Sequence, residues 1–218
     1  NFVTDESVKG MEFVTFEQVN ADLEPRHCAT LPFIRNVVGP MDFTPVVLNE
    51  RLGPNRRRGP LRKTTAAFGL ALRAAGAGLN VYIGQFAKGY SCSEHKALQK
   101  IKNIKLEQFG GKCFIRGKPR QMDVEFACQG MEKIKKIIAC RNYQVIILDE
   151  INIALKFKLV PLKEVLDLIR LTPKNIELVL TGRYAPAQLI KAADLVSQIQ
   201  EVKHYYKQGL KARKGIEL

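Results

Sequence analysis

The sequence has no tryptophan, few histidines and no long apolar run. No stretch of about 18 or more apolar residues occurs, so no segment is long enough to span a membrane as a helix. The three histidines, His27, His95 and His204, stand far apart, which argues against a metal cluster. The five cysteines are odd in number and never spaced C-x-x-C, which argues against a disulfide framework or a zinc site. We therefore expect reduced, mostly buried thiols in a cytosolic protein.

Acidic residues are scarce except at the beginning of the chain. The net charge is +14, yet residues 1–50 hold three basic and eight acidic side chains and so carry −5, which leaves +19 for the remainder. So basic a body is compatible with nucleic-acid binding, or with a solvated lysine face and a site for a polyanionic small molecule. The lysines are spread through the body without interleaved aromatic residues, which favours the polyanion site.

The first fifty residues differ from the rest in pattern as well as in charge. They lack a helical period, and Pro32, Pro40 and Pro45 forbid a long helix. The apolar triplet 46–48 predicts a short strand, and an arginine-rich run over 51–62 forms a seam. We predict an irregular N-terminal segment, 1–52, followed by one α/β domain, 53–218.

Beyond the seam, strand and helix patterns alternate. This alternation predicts an α/β fold with a mostly parallel sheet. The apolar run 143–150 is typical of a central strand buried on both faces. The predicted strands are 79–86, 104–109, 143–150, 175–181 (closed by Gly182) and 195–203, and the predicted helices are 63–76, 94–101, 121–141, 161–171 and 185–194. The helix 121–141 is expected to bury one stripe, formed by Val124, Cys128, Met131, Ile134 and Ile138.

Lys63 and Thr64 open the first of these helices in the order that ends a P-loop, G-x-x-x-x-G-K-[ST]. In that motif backbone N–H groups cradle phosphates, the lysine meets the outer phosphates and the hydroxyl holds Mg²⁺. The glycines that the pattern requires at positions 57 and 62 are replaced by Arg57 and Arg62. The interpretation as a basic loop before an ordinary helix therefore stays open.

The strand 143–150 ends in Asp149 and Glu150, where a carboxylate can hold the Mg²⁺ of a nucleotide. Alone this signal is weak, since many strands end in acids. Together with Lys63 and Thr64 it favours a P-loop nucleotide-binding fold, with Lys63 and Glu150 converging on one magnesium triphosphate. Ligands of parallel sheets lie beyond the carboxyl ends of the strands, where Thr181 and Arg183 also fall.

From Lys63 onward the sequence closely resembles the ATP:corrinoid adenosyltransferases. The matching pieces are KTTAAFGLALRAAG, QFAKG, ILDEINIAL, PLKEVLDLI, LVLTGRYAPAQLIKAADLVSQI and VKHYYKQGLKARKGIEL. The resemblance implies a RecA-like P-loop NTPase fold and the use of ATP, Mg²⁺ and a reduced corrinoid, cob(I)alamin or cob(I)yrinic acid a,c-diamide. In that family cobalt(I) attacks the 5′ carbon of ATP and triphosphate leaves. The resemblance also implies a cytoplasmic homodimer, with a corrinoid-reducing flavoprotein as a partner.

Carried over by position, the resemblance assigns catalytic roles to Lys63, which would neutralise the triphosphate, and Glu150, which with Asp149 would lie near Mg²⁺ or ribose. Thr64 would ligate Mg²⁺ and Thr65 would contact the phosphates. Thr65 could instead only cap the helix.

Three further positions complete the implied nucleotide and corrinoid site. Arg73 would contact the nucleotide, although a surface helix charge explains it equally well. Phe114, in the glycine loop 110–117 over the corrinoid, is the candidate for displacing the lower axial ligand. Many members use a tryptophan nearby, and the alternative is that Phe114 covers the core. Arg183 would join the nucleotide site.

The N-terminal part resembles a different family. The stretch GMEFVTFEQVNADLEPRHCATLPFIRNVVGPMDFTP is similar to glycoside hydrolase family 97 barrel enzymes, and Glu12 and Glu24 would match carboxylates of that site. A barrel takes about 250 residues, so the fragment cannot form one and we expect no glycosidase activity. The simplest hypothesis is a glycosidase fragment joined inside the P-loop of an adenosyltransferase.

The family pattern runs from a first strand into T-G-x-G-K-G-K-T-T. This chain keeps the final K-T-T, but positions 57–62 read RRGPLR in place of the glycine-containing part. The triplet 46–48 is the candidate for replacing that strand. The lost glycines predict impaired turnover, because arginine charge cannot reproduce the geometry of backbone donors. The rival hypothesis is a non-catalytic basic domain that binds a corrinoid or another polyanion.

Overall fold

The computed structural model describes residues 45–51, 62–111, 115, 117–200, 209, 213 and 215–216. All of them lie in the unit Asp42–Leu218. The predictions for Glu12, Glu24, Arg57 and Phe114 fall outside the described residues.

Strands and helices alternate through this described part, as predicted. The strands are β1 (Val46–Arg51), β2 (Val81–Phe86), β3 (Ile104–Phe109), β4 (Val145–Asp149), β5 (Glu177–Arg183) and β6 (Leu195–Gln200). The helices are α1 (Arg62–Gly76), α2 (Ser93–Leu98), α3 (Gln121–Cys140), α4 (Ile151–Lys156), α5 (Leu162–Leu171) and α6 (Ala187–Ala192).

The six strands form one sheet in the order β3-β2-β4-β5-β1-β6, and every neighbouring pair is parallel. The predicted α/β class with a parallel sheet is thus confirmed. All five residues of β4 are buried, as expected for a central strand.

The strand β1 occupies an interior position between β5 and β6. Val46 pairs with Val179 on one side and with Leu195 on the other, and the side chains of Val46 and Val47 are buried. The strand predicted over 46–48 therefore fills a place that would otherwise leave two strands with unpaired edges. The division at 52/53 stays a prediction. The strand β1 ends at Arg51, the first residue of the predicted seam, and belongs to the sheet of the main body.

The core lies on both faces of the sheet, because successive side chains of a strand point to opposite faces. On one face α1 packs Ala67, Phe68 and Ala71 in a cluster with Ile83 and Ile147. The other face carries a larger cluster, whose members include Tyr82, Met131, Ile134, Ile146, Leu148, Ile151, Val165 and Leu180. Each large aliphatic side chain buried in this way contributes about 1.5–3 kcal/mol.

Two element boundaries differ from the prediction near the functional edge. The helix α4 follows β4 after a single residue, although no helix was predicted there. The strand β5 continues through Gly182 to Arg183 instead of closing at the glycine. Gly182 has φ +145, and a Cβ there would lie 2.5 Å from the Cβ of Asn152. The glycine thus permits a close approach of α4 to β5 rather than ending the strand.

The cysteines correct a second expectation. Cys92 is half-buried, and Cys128 and Cys140 are exposed; all three are free thiols. Cys128 lies beside the buried stripe of α3 rather than in it, because Ala127, one position earlier, faces the sheet. The expectation of mostly buried thiols is therefore wrong for the cysteines that the structure describes. In the part of the chain that the structure describes, no helix combines the length and apolar character needed to cross a membrane.

Candidate functional site

The site lies where the N-terminus of α1 meets the carboxyl ends of β2, β4 and β5. The last inward-facing positions of the three strands hold Gln85, Asp149 and Thr181, on the face covered by α1. All three side chains are fully buried, as is that of Lys63 in the first turn of α1. The polar, buried side chains at the ends of these apolar strands thus lie together at the N-terminus of α1. Ligands of parallel sheets usually bind at this position, beyond the carboxyl ends of the strands.

Lys63 and Glu150 form a buried ion pair. The Lys63 Nζ donates a hydrogen bond to Glu150 Oε1 over 2.7 Å, and the two side chains are 0% and 15% exposed. Removing an ammonium group from water is costly unless a carboxylate compensates it. The structure thus brings together the two residues that the sequence predicted to converge, although they are 87 positions apart.

Asp149 is held by three side-chain donors. The hydroxyl groups of Thr64 and Thr181 donate to Oδ1 over 2.9 and 2.6 Å, and the amide Nε2 of Gln85 donates to Oδ2 over 2.8 Å. Gln85 is itself oriented by Gln108, whose Nε2 donates to Gln85 Oε1 over 2.8 Å. These bonds fix both oxygens of the carboxylate in one orientation beside the start of α1.

Glu150 joins β4 to α4 in a left-handed backbone conformation, with φ 61 and ψ 18. Such a conformation costs a residue other than glycine about 1–3 kcal/mol and often marks a functional site. Its backbone N–H donates to Thr181 Oγ1 over 3.1 Å, which ties the turn to β5. The strained turn places the carboxylate directly above the end of β4, facing Lys63.

The pKa of Glu150 is raised above its ordinary value of 4.5. Burial is the largest cause and the neighbouring Asp149 adds to it, whereas the positive charges of Lys63 and Arg183 act in the opposite direction. The second carboxyl oxygen, Oε2, is buried and accepts no hydrogen bond from the described residues. This oxygen is therefore available to a ligand.

The donor set suits a hard divalent cation. The hydroxyl of Thr64 gives its proton to Asp149, which leaves its lone pairs for a metal, and Glu150 Oε2 adds a carboxylate oxygen. Mg²⁺ prefers such oxygen ligands. Thr64, Asp149 and Glu150 thus fit the ion that the sequence predicted.

The other predicted site residues lie at varying distances from this group. Arg183 ends β5 close enough to affect the pKa of Glu150. Thr65 is exposed, and Arg73 is exposed in the last turn of α1, about 15 Å along the helix from Lys63. The roles of these residues, and the role of Phe114, stay predictions.

Sequence reasoning missed the two glutamines and left Thr181 without a role. Gln85 and Gln108 are the penultimate residues of β2 and β3 and pair directly in the sheet register. The sequence does show an amide side chain next to the last residue of each of these two strands. Only the strand order, however, shows that these amides lie beside Asp149.

Comparisons with known proteins agree in the family they indicate. A family model described as ATP:corrinoid adenosyltransferase BtuR/CobO/CobP matches residues 61–218. The chain is 34% identical over 157 residues to a corrinoid adenosyltransferase of Pseudomonas aeruginosa, and the match covers 71% of this chain and 77% of the relative. A corrinoid adenosyltransferase of Sinorhizobium sp is 33% identical over 166 residues, with coverages of 71% and 74%.

The corrinoid adenosyltransferase CobA of Salmonella typhimurium is 30% identical over 155 residues, with coverages of 71% of this chain and 79% of the relative. The family model begins at residue 61, so it does not test the resemblance of the first fifty residues to glycoside hydrolases.

Proposed function

Because the chain belongs to the ATP:corrinoid adenosyltransferase family, we propose that it transfers the 5′-deoxyadenosyl group of ATP to the cobalt of a reduced corrinoid. The electron pair of cobalt(I) forms the bond to C5′, and the C5′–O bond breaks with its electron pair on the departing triphosphate. The observation that carries the proposal is the buried Lys63–Glu150 pair beside the Thr64–Asp149 hydrogen bond. These are the groups that a P-loop nucleotide site requires.

Lys63 is the residue that stabilises the leaving group. The triphosphate gains negative charge as the C5′–O bond breaks, and a preorganised ammonium group in a buried site stabilises such charge better than water does. Glu150 holds the Lys63 ammonium group in position through the 2.7 Å hydrogen bond before the nucleotide arrives. The phosphate oxygens then compete with Glu150 Oε1 for the Nζ protons, so Glu150 also limits how tightly the product triphosphate is held.

Thr64, Asp149 and Glu150 would hold Mg²⁺, which neutralises part of the phosphate charge when bound. The hydrogen bonds from Thr181 and Gln85 keep the Asp149 carboxylate in one orientation. The same proposal includes a homodimer, a corrinoid-reducing flavoprotein as the electron source and a cytoplasmic location, all of which rest on the resemblance to the family.

We also propose that turnover is slower than in relatives with an intact glycine loop. Arg57 and Arg62 stand where the P-loop pattern has glycine. A glycine lets the backbone N–H groups close around phosphates, and a long side chain hinders that approach. The alternative function is a basic domain that binds a corrinoid or another polyanion without turnover, which the charge of +19 after residue 50 supports.

Calorimetry and a spectroscopic transfer assay separate these functions. The wild-type chain is titrated with Mg-ATP and then incubated anaerobically with cob(I)alamin and Mg-ATP. Binding with formation of adenosylcobalamin is the expected result. Binding without product favours the non-catalytic alternative, and no heat at millimolar Mg-ATP contradicts the enzyme.

Two variants test the role assigned to Lys63. Lys63→Met should lower the transfer rate by about 100- to 1,000-fold, the effect of removing one preorganised donor. Lys136→Met, an exposed lysine on α3, should leave the rate unchanged. Equal rates for the two variants would show that Lys63 has no part in the reaction.

A further inference from the structure

The QFAKG motif contains a buried lysine that the proposed mechanism does not use. Lys88 lies in the segment between β2 and α2, and its side chain is only 5% exposed. The nearest carboxylate oxygen that the structure describes is Glu94 Oε1, at 3.7 Å from Nζ, which is too far for a hydrogen bond. The Nζ also lies 5.2 Å from the centre of the Tyr90 ring. Within the described residues no nitrogen or oxygen atom accepts a hydrogen bond from this ammonium, and the Cys92 thiol interacts with it in addition to Glu94 and Tyr90.

His95, on α2, is a second buried donor beside Lys88. The side chain is 2% exposed and lies against the Phe68 ring of α1. Its Nδ1 accepts a hydrogen bond from the Cys92 backbone N–H over 3.2 Å, so in the neutral imidazole Nε2 carries the proton. Burial, and then the charge of Lys88, lower the pKa of His95, which favours this neutral form. Among the residues described, none accepts a hydrogen bond from Nε2.

Hydrogen bonds connect the segment that contains Lys88 to the candidate nucleotide site. The charge of Asp149 acts to raise the pKa of His95, against the larger effect of burial. Gln108, which orients Gln85 and through it Asp149, also donates to the carbonyl oxygens of Lys88 and Tyr90, over 3.4 and 3.1 Å. One chain of hydrogen bonds therefore connects the Lys88 segment to the predicted magnesium site.

A metal ion is the rival occupant. Cys92, Glu94 and His95 offer a thiol, a carboxylate and an imidazole whose ligand atoms lie within 4.8 Å of one another, a set that zinc accepts. The ammonium of Lys88 lies among the same groups, however, close to the Glu94 carboxylate, and would repel a cation. Burial also raises the pKa of the Cys92 thiol despite the nearby Lys88 charge, which disfavours the thiolate that a metal needs.

Buried donors without acceptors are costly, and native proteins rarely contain them without a ligand or water that accepts the bonds. We propose that Lys88 and His95 bind an oxygen of the nucleotide's phosphate chain, as a second set of donors beside Lys63. This inference rests on the proposed function and extends its site to the segment after β2. The positive charge of Lys88 would add to the binding of phosphate in a chain whose phosphate loop lacks two of its glycines.

Isothermal calorimetry with inorganic triphosphate, Mg-ATP and adenosine tests the assignment. Lys88→Met should weaken the binding of inorganic triphosphate and of Mg-ATP by about 10- to 100-fold, as expected for one charged hydrogen bond, and leave adenosine unchanged. Lys88→Arg, which retains the charge, should recover part of the loss. Lys96→Met, an exposed lysine on α2, is the matched control and should bind all three ligands as the wild type does.

The wild-type chain provides a test that does not depend on the folding of a variant. With ¹⁵N-labelled histidine, inorganic triphosphate should shift the Nε2–H resonance of His95 and slow its exchange with water. Assignment needs only His95→Gln, because the chain has three histidines.

Unchanged triphosphate affinity in Lys88→Met, or an unmoved His95 resonance, would overturn the inference while leaving the proposed function intact. Zinc binding that Cys92→Ser abolishes, with triphosphate binding independent of Lys88, would assign the cluster to a metal instead. If the wild type binds neither Mg-ATP nor triphosphate, the proposed function and this inference are both wrong.

Discussion

At the residue scale, the site is a group of charges that burial alone would not favour. Lys63, Asp149 and Glu150 lie together in the protein interior, and a buried ion pair is often no more stabilising than apolar residues of the same size. Their hydrogen bonds compensate for lost hydration, but Glu150 Oε2 remains without a donor among the described residues. A buried oxygen without a hydrogen-bond donor is expected where a bound ligand or metal ion provides the missing partner.

Asp149→Asn tests whether the fixed carboxylate serves the nucleotide rather than the fold. The amide keeps the size of the side chain but removes the charge that would face Mg²⁺, and its NH₂ group can no longer accept one of the bonds from Gln85 or the two threonines, so thermal unfolding of the variant is measured as well. We expect Mg-ATP affinity to fall by about 10- to 100-fold, since an interaction with a charged group contributes about 1.5–3 kcal/mol. The dependence of binding on Mg²⁺ should weaken as well. Calorimetry with and without Mg²⁺ measures both. Asp167→Asn, on the exposed face of α5, is the control; an equal loss there would contradict the assignment.

At the scale of elements, the functional edge is built from strands that end in strained turns. Ala87, Glu150 and Tyr184 follow directly after β2, β4 and β5, and all three have left-handed backbones, with φ 53, 61 and 63. The chain therefore leaves three neighbouring strands through the same uncommon backbone conformation, at one edge of the sheet. Backbone strain of this kind persists only where the surrounding packing enforces it, and here that packing is the contact of α2 and α4 with the sheet.

Gly182→Ala should disturb this edge strongly. The added methyl group would meet Asn152 and require a φ of +145, a region almost restricted to glycine. We expect the free energy of unfolding to fall by about 2–4 kcal/mol, from strain and overpacking together. Gly69→Ala on the exposed side of α1, where a methyl group meets nothing within 4 Å, should instead stabilise by about 0.5–1 kcal/mol. Chemical denaturation measures both, and equal effects would contradict the packing argument.

The N-terminus of α3 gives a prediction of pH dependence. Asp123 accepts hydrogen bonds from the backbone N–H and the guanidinium group of Arg120, and the Arg120 side chain is the largest cause that lowers the pKa of Asp123 below its ordinary 3.8. A lowered pKa stabilises the folded state above pH 3.8, and the contribution is lost as the pH falls through the folded-state value.

Asp123→Ala should therefore cost about 1–2 kcal/mol of unfolding free energy at pH 7, the usual effect of losing a helix cap. The difference from wild type should shrink as the pH falls below 3.8 and disappear below the lowered pKa of Asp123 in the folded state. Urea denaturation at several pH values measures it, and a difference that stays constant with pH would show that the carboxylate charge is not the cause.

At the scale of the whole molecule, the decisive feature is that β1 lies inside the sheet. The strand comes before the arginine-rich run, in the part of the sequence with a negative charge, yet it pairs on both sides within the basic body. Removing it would expose the edges of β5 and β6 and the apolar side chains that pack on Val47. The folded body therefore needs residues from before the seam.

Two truncated chains test this point. A chain that begins at Asp42 should fold cooperatively and bind Mg-ATP like the full chain, whereas one that begins at Gly53 lacks β1 and should be unfolded or aggregated. Circular dichroism and thermal unfolding measure the outcome. A stable, cooperative fold for the shorter chain would show that the boundary lies at 52/53 as predicted, and that β1 is dispensable.

The sequence by itself determined the class of fold, and it indicated the helix start and the strand end that form the candidate site. Alternating apolar runs predicted the parallel sheet, and the burial of β4 followed from its continuous apolar residues. Lys63, Thr64, Asp149 and Glu150 could be predicted as candidate site residues because their chemistry is tied to local positions, a helix start and a strand end, and the structure places their side chains together. These signals are local, so they can be read without knowing which strands adjoin.

Only the tertiary structure decided which residues complete the site. Gln85, Gln108 and Thr181 matter because the strand order brings β2, β3, β4 and β5 together, and strand order depends on packing between distant segments. The burial of His95 likewise depends on the contact of α2 with Phe68 of α1. The role of Gly182 follows from the approach of α4, which no pattern along the chain records.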